Sequence, residues 1–185
     1  MKRLIFITLA ICTMLLIAVP LLISLCTKPA PDTDDIDGGV THYVDTDAPK
    51  VIESTQIVSF HCEISATDLM TDSSPIAGRY HTLHAAPDGG SYEARGGGTV
   101  FAEREFTPNE AFFDALQQIV FQYDLAQYNG QFYTVSGLPP DLGSKLEILY
   151  TSGECIHCSN NQSCFLPLKA IEELVSLFYP NNSVF

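Results

Sequence analysis

Apolar and polar side chains alternate along several short stretches of the chain. The clearest is 56–65, where apolar residues take every second position and polar residues such as His61 and Glu63 take the others. Because successive side chains of a strand point to opposite faces, this pattern predicts a strand with one buried face. Similar runs, bounded by Gly, Pro, Ser and Asp, predict further strands at 79–85, 91–95, 99–106, 145–150 and 155–159.

In two later segments the apolar spacing changes to three and four residues, which predicts helices. The first follows Thr107-Pro108-Asn109-Glu110, a capping box with Thr107 as the N-cap and Pro108 at the first helical position. The second helix opens at Pro167. The predicted buried stripes are Phe112, Leu116, Ile119, Val120 and Tyr123 in the first helix, and Leu168, Ile171, Leu174, Val175 and Phe178 in the second. Strands joined by hairpins and followed by helices predict an α+β fold, a mainly antiparallel sheet with two helices on one face.

The longest apolar run lies at the amino terminus. It begins at Leu4 and ends at Cys26, without one charged side chain, and it follows Lys2 and Arg3. At about 1.5 Å per residue it is long enough to cross a bilayer, and the two basic residues favour a cytoplasmic N-terminus. Residues 1–26 are therefore predicted to be a signal anchor, the membrane is the first predicted partner, and the rest of the chain is placed outside the cytoplasm.

Two alternatives for the same segment remain open. Cleavage after Cys26 would release a secreted protein, because Ser24 and Cys26 put small residues at −3 and −1. Residues 23–26 are also similar to a bacterial lipobox, which would make Cys26 a lipoprotein anchor, although Leu25 departs from that pattern. All three interpretations predict the same extracytoplasmic location for the residues after Cys26.

Residues 27–50 change character and are rich in Asp and Pro. Such a stretch has few large apolar side chains to bury, so it is predicted to be a disordered, acidic linker to a domain at 51–185. Asp32, Asp34, Asp35 and Asp37 partly resemble a calcium loop, but no Glu stands at its twelfth position. Calcium binding is therefore not predicted.

The acidic composition of the chain limits the classes of partner that it can bind. The chain has 9 Lys and Arg against 22 Asp and Glu, which gives a net charge of −13. Because nucleic-acid binding needs a basic surface to neutralise phosphates, no nucleic-acid partner is expected. The partners predicted for this acidic chain are the membrane and another protein of the cell envelope.

One cysteine-rich hairpin carries the most chemistry. Cys155, His157, Cys158 and Cys164 have the residue types of a zinc site, which needs about four convergent ligands. A strand, however, sends Cys155 and His157 to one face and Cys158 to the other, so no metal and no other cofactor is expected here. Outside the cytoplasm a disulfide is the alternative, and Cys158–Cys164 is the favoured pair, with free thiols and redox exchange left open.

Two further clusters are candidate sites. His81 and His84 form a metal pair only if they share a face, and three-residue spacing on a strand splits them. Glu103 and Glu105 share a strand face, and Glu147 is a candidate on a neighbouring strand; two carboxylates about 5–9 Å apart can carry out glycoside hydrolysis. Solvated edge charges account for these residues more simply, so the catalytic residues remain unknown.

Three segments in the last 75 or so residues carry a family resemblance. They are 123–130, an aromatic segment ending in Asn-Gly; 146–153, a strand and its turn; and Phe165-Leu166-Pro167 before the last helix. This part of the chain resembles uncharacterised exported or membrane-anchored proteins of Gram-positive anaerobic bacteria. The resemblance implies an exported α+β domain and no particular activity.

The sequence thus favours a membrane-anchored, extracytoplasmic binding module of the bacterial envelope over an enzyme. The alternatives are a small extracytoplasmic enzyme, or a metal or redox domain that uses the hairpin from Cys155 to Cys164. A deep pocket with convergent polar groups would favour the enzyme, and a flat surface would favour the binding module.

Overall fold

The computed structural model describes residues 39–66, 78–139 and 141–180. The predicted anchor at 1–26, including Cys26, lies outside these residues. Within them, no helix has the length and apolar character needed to cross a membrane. The strands are β1 (Val40–Val44), β2 (Ile57–Ser65), β3 (Tyr80–Ala86), β4 (Gly89–Gly96), β5 (Thr99–Phe106), β6 (Gln131–Val135), β7 (Ser144–Tyr150) and β8 (Cys155–Asn160), and the helices are α1 (Glu110–Gln122) and α2 (Leu168–Phe178), with a 3₁₀ turn at Leu125–Tyr128.

The described strands form one sheet in the order β1-β6-β8-β7-β2-β3-β4-β5. All neighbouring pairs are antiparallel except β6 and β8, which run parallel. The predicted α+β class, with a mainly antiparallel sheet and two helices, is confirmed. The second strand, β2, lies near the middle, between β3 and β7, so its side chains face neighbours from both halves of the chain.

Aromatic side chains join the sheet to both helices on one face. The Phe178 ring of α2 lies 5.5 Å from Phe60 of β2, 5.8 Å from Phe106 of β5 and 5.1 Å from Phe112 of α1. Phe60 and Phe178 are completely buried. Each such side chain contributes about 1.5–3 kcal/mol through burial. The contacts of Phe178 therefore determine which face of the sheet packs against the helices and is shielded from water.

The first helix starts two residues later than the capping box predicts. Asn109, not Thr107, is the N-cap, and its side-chain oxygen accepts a hydrogen bond from the Phe112 backbone N–H at 2.9 Å. Asn is as good an N-cap as Thr, and here it reaches the third helical N–H, so the helix begins at Glu110 rather than at Pro108. The second helix was predicted to open at Pro167; it begins one residue later, at Leu168, and Pro167 is its N-cap.

The linker prediction is wrong at its carboxyl end. Val40–Val44, inside the predicted linker 27–50, form β1 and pair with β6 over five residues. The His42 ring stacks on Tyr133 at 4.1 Å, and Tyr43 stacks on Phe132 at 5.9 Å. Ordering this segment costs conformational entropy, and its acidic side chains bury too little apolar surface to offset that cost. The cross-strand ring contacts supply the missing stabilisation.

Candidate functional site

The sheet face opposite the helices carries a row of polar side chains that crosses six strands. The strand registers place His157, Glu147, His61 and His84 opposite one another on β8, β7, β2 and β3, and Ser91 and Glu105 continue the row. A parallel row runs through Ser159, Lys145, Glu63, Thr82, Glu93 and Glu103. We call these two rows, together with Arg95, the open face.

One half of the open face is centred on Glu147. Its carboxylate lies 3.1 Å from the Lys145 ammonium and 3.3 Å from His157 Nε2. The three side chains are 21–37% exposed, so water still reaches them. The pKa of His157 is lowered, mainly because the imidazole is buried. The charge of Lys145 also lowers it, and the charge of Glu147 acts in the opposite direction without cancelling the effect. The imidazole therefore stays neutral to a lower pH than a free histidine.

The other half is centred on Glu63. Its carboxylate accepts a hydrogen bond from the Tyr80 hydroxyl and lies 2.9 Å from His61 Nε2. Burial tends to raise the pKa of Glu63, but the hydrogen bonds from Tyr80 and His61 and the charges of His61 and Lys145 outweigh it and lower the pKa. The carboxylate therefore stays ionised at neutral pH and holds both neighbours in place.

The edge of the open face is acidic. Glu93 and Glu103 lie directly opposite each other on β4 and β5, and Glu105 is exposed beside them. Arg95 is the nearby cation, 3.8 Å from Glu93 and 3.3 Å from Asp141. Five glutamates stand on this face against Lys145 and Arg95, so its potential is negative at neutral pH.

The predicted carboxylate group does not assemble. Glu103 and Glu105 share a face, as expected, but β2, β3 and β4 lie between their strand and β7, which carries Glu147. At about 4.8 Å per strand this places the carboxylates roughly 19 Å apart, beyond the ~5–9.5 Å that paired acid–base catalysis requires. Glu147 therefore cannot form a catalytic carboxylate pair with Glu103 or Glu105.

The histidine pair splits across the sheet as strand alternation predicts. His81 is buried on the helix side, where its Nδ1 lies 3.0 Å from the Tyr92 hydroxyl. His84 is exposed on the open face, and its ring centre lies 6.3 Å from that of His61. The sequence did not predict that His61 lies beside His84, because only the pairing of β2 with β3 brings these two imidazoles together.

The cysteine hairpin also alternates as predicted. Cys158 is buried with Cys62 on the helix side, whereas Cys155 and His157 face the other way. Cys158 carries a free thiol, so the favoured Cys158–Cys164 bridge is not formed in this structure. Burial raises the pKa of both Cys62 and Cys158, which makes these thiols poor nucleophiles and poor candidates for redox exchange.

Within residues 39–66, 78–139 and 141–180, no group of three or more His, Cys, Asp and Glu side chains has the geometry to hold a metal ion. Comparisons with models of protein families, with curated proteins and with solved structures find no match. The chemistry of the open face is therefore interpreted from its own residues.

Proposed function

We propose that this chain is a membrane-anchored, extracytoplasmic binding module whose open face binds a positively charged segment of another envelope protein. The observation that carries the proposal is the arrangement of the open face. Its titratable groups lie in two rows along neighbouring strands, partly exposed, with an excess of carboxylates. Such a surface complements a basic partner by charge.

The shape of the surroundings favours binding over catalysis. A catalytic site normally encloses its polar groups in a cleft that excludes water. Two cavities lie beside the helices, one near Glu173 and one near Tyr150, and neither is lined by a residue of the open face. The carboxylates and imidazoles of the open face are spread over six neighbouring strands, which suits a broad partner better than a small substrate.

The internal pairing of the open face gives it a fixed shape. Glu63 holds His61 and Tyr80, and Glu147 holds Lys145 and His157, so these side chains lose little further freedom when a partner binds. The exposed acidic edge at Glu103 and Glu105 then supplies the attraction. Charge at such a rim mainly speeds association and is weakened by salt.

The location follows from the amino-terminal sequence. The uncharged run from Leu4 to Cys26 after two basic residues supports a single-pass anchor with the domain outside the cytoplasm. The resemblance to exported proteins of Gram-positive anaerobes supports the same location. Protease added to protoplasts that express the chain should remove the domain, and complete protection would contradict this part of the proposal.

Binding is tested with a peptide of ten lysines and the full-length chain in lipid nanodiscs. Glu103→Gln/Glu105→Gln removes two charges from the open face, and Glu110→Gln/Asp114→Asn removes two from exposed positions of α1. We expect the first double variant to bind about fivefold more weakly, since two exposed pairs are worth about 1 kcal/mol. If both double variants lost the same affinity for the peptide, the attraction would depend on net charge alone, which would contradict a role for the open face.

A further inference from the structure

A cavity lies on the helix side of the molecule, away from the open face. It has a volume of about 350 Å³ and is lined by the end of β7, the second half of α1 and the segment before β2. Its apolar walls include Ile52, Val120 and Ala126. This volume falls in the range of small-molecule sites, which start at about 300 Å³.

Two buried polar atoms at this cavity form no hydrogen bond of good geometry with the described residues. Tyr150 is fully buried, and its hydroxyl is one of these atoms; the side-chain oxygen of Gln117 is the other. Both residues line the cavity. Burial raises the pKa of Tyr150, and a weak hydrogen-bond interaction with the Gln117 side chain only partly offsets that rise, so the hydroxyl keeps its proton at neutral pH.

The chemistry of these two atoms defines a complementary group. The Tyr150 hydroxyl donates a hydrogen bond, and the Gln117 oxygen accepts one. A carboxamide offers an acceptor and a donor side by side, so one such group satisfies both residues. Leaving a buried donor or acceptor unsatisfied costs about 1–3 kcal/mol, so a ligand that supplies both hydrogen bonds recovers this cost.

The rim and the walls define the rest of the ligand. Phe121 lines the cavity and is 84% exposed, which leaves its ring available to stack on an aromatic ligand. The charged groups at the cavity, Lys50 and Asp124, have opposite signs, and Lys50 already donates to the Asn129 carbonyl. No excess of either charge selects an ion, so a neutral molecule fits best.

We propose that this cavity binds a neutral aromatic carboxamide, with the amide hydrogen-bonded to Tyr150 and Gln117 and the ring packed against Phe121 and Val120. This site is independent of the open face and of the function proposed for it. Binding here needs neither an envelope partner nor a particular location of the domain.

The test uses the full-length chain in lipid nanodiscs and 4-fluorobenzamide, observed by fluorine NMR, with empty nanodiscs as the reference for partition into lipid. Saturable binding to the protein is expected. Tyr150→Phe should weaken it about fivefold, the loss of roughly one hydrogen bond. Phe121→Ala should also weaken it, and this exposed position can be changed without loss of the fold.

Tyr123→Phe is the matched control, because it removes a tyrosine hydroxyl that bonds to Glu173 and lies outside the cavity lining. It should leave the affinity unchanged. Fluorobenzene, which lacks the amide, should bind more weakly than 4-fluorobenzamide. Three outcomes would each overturn the proposal. The first is binding of 4-fluorobenzamide no greater than to empty nanodiscs, and the second is an affinity in Tyr150→Phe and Phe121→Ala equal to that of the native chain. The third is equal binding of 4-fluorobenzamide and fluorobenzene.

Discussion

The side chain of Asn129 holds the backbone of His157. Its Oδ1 accepts a hydrogen bond from the His157 N–H at 2.8 Å, while its Nδ2 donates to the carbonyls of Cys155 at 2.8 Å and Pro49 at 2.9 Å. Asn129 is 3% exposed. One buried amide therefore ties the start of β8 to the segment that follows β1, and it fixes the strand that presents His157 to the open face.

Replacing Asn129 with Ala should lower the free energy of unfolding by about 3 kcal/mol, because three hydrogen bonds are lost and their backbone partners stay partly buried. Denaturant unfolding of the chain measures this change. Gln131→Ala is the control, since it removes a single exposed bond to the Gln127 carbonyl and should cost about 0.5 kcal/mol. Equal costs in the two variants would contradict the role given to Asn129.

Two glycines with the same backbone angle should differ sharply in tolerance. Gly137 and Gly143 both have φ +81°, but an added Cβ meets nothing within 4 Å at Gly137, whereas at Gly143 it overlaps the backbone of Asn160 and Asn161. Gly137→Ala should cost about 1–2 kcal/mol from conformation alone. Gly143→Ala should cost roughly 1–3 kcal/mol more, because backbone atoms must move. Unfolding experiments on the two variants that give equal losses would show that the close approach to β8 is not fixed.

Stability should fall as the pH drops below about 6.5, and His157 should account for part of the fall. The pKa of His157 is lowered in the folded chain, mainly by burial. The unfolded chain therefore takes up a proton first, at about pH 6.5, and stability is lost as the pH falls from there towards the folded pKa. The lowered pKa of Glu63 adds a second loss below about pH 4.5.

His157→Gln should flatten the dependence of the unfolding free energy on pH between about 6.5 and 5. His84→Gln, at an exposed position of the same row, is the matched variant for the loss of one imidazole from the open face, and the slope of His157→Gln is compared with its slope. An unchanged slope in His157→Gln would mean that the protonated imidazole is accommodated beside Glu147 at no cost.

Thiol labelling should divide the domain cysteines into two classes. Cys62 and Cys158 are buried, and burial raises the pKa of both, so iodoacetamide should modify them only after unfolding. Cys155 and Cys164 are half-buried and should react earlier. Mass spectrometry of labelled peptides, with and without prior reduction, gives the result. Protection of Cys158 and Cys164 that disappears on reduction would reveal the disulfide that this structure lacks.

Local patterns predicted the strands whose two faces differ in polarity. Phe60, Cys62 and Ile64 alternate with His61 and Glu63, and the structure buries the first three completely. The hairpin partners were found for the same reason. β6 was not predicted and β1 was assigned to the linker, because β1 lies beside an acidic, proline-rich stretch and neither strand shows this contrast. β1 and β6 are strands because they pair with each other, although about 90 residues separate them in the sequence.

The open face could be predicted only in part. The sequence places His61 and Glu63 on one outward face, and His157 on another. Their assembly depends on the sheet order, which inserts β7 between β2 and β8 and so sets Glu147 between the two histidines. No local periodicity encodes strand order. The cavity at Tyr150 was missed for a similar reason, because its walls come from three distant segments.

The position of β1 also has a mechanical consequence. The described chain enters the domain at Gly39 and passes directly into β1, an edge strand held to the sheet through β6 alone. Tension applied from the amino-terminal side would act first on the Val40–Val135 pair and then on successive pairs towards Val44. Loaded one pair at a time, β1 would peel away before the central strands, adding roughly 17 Å of extended chain while the open face kept its shape.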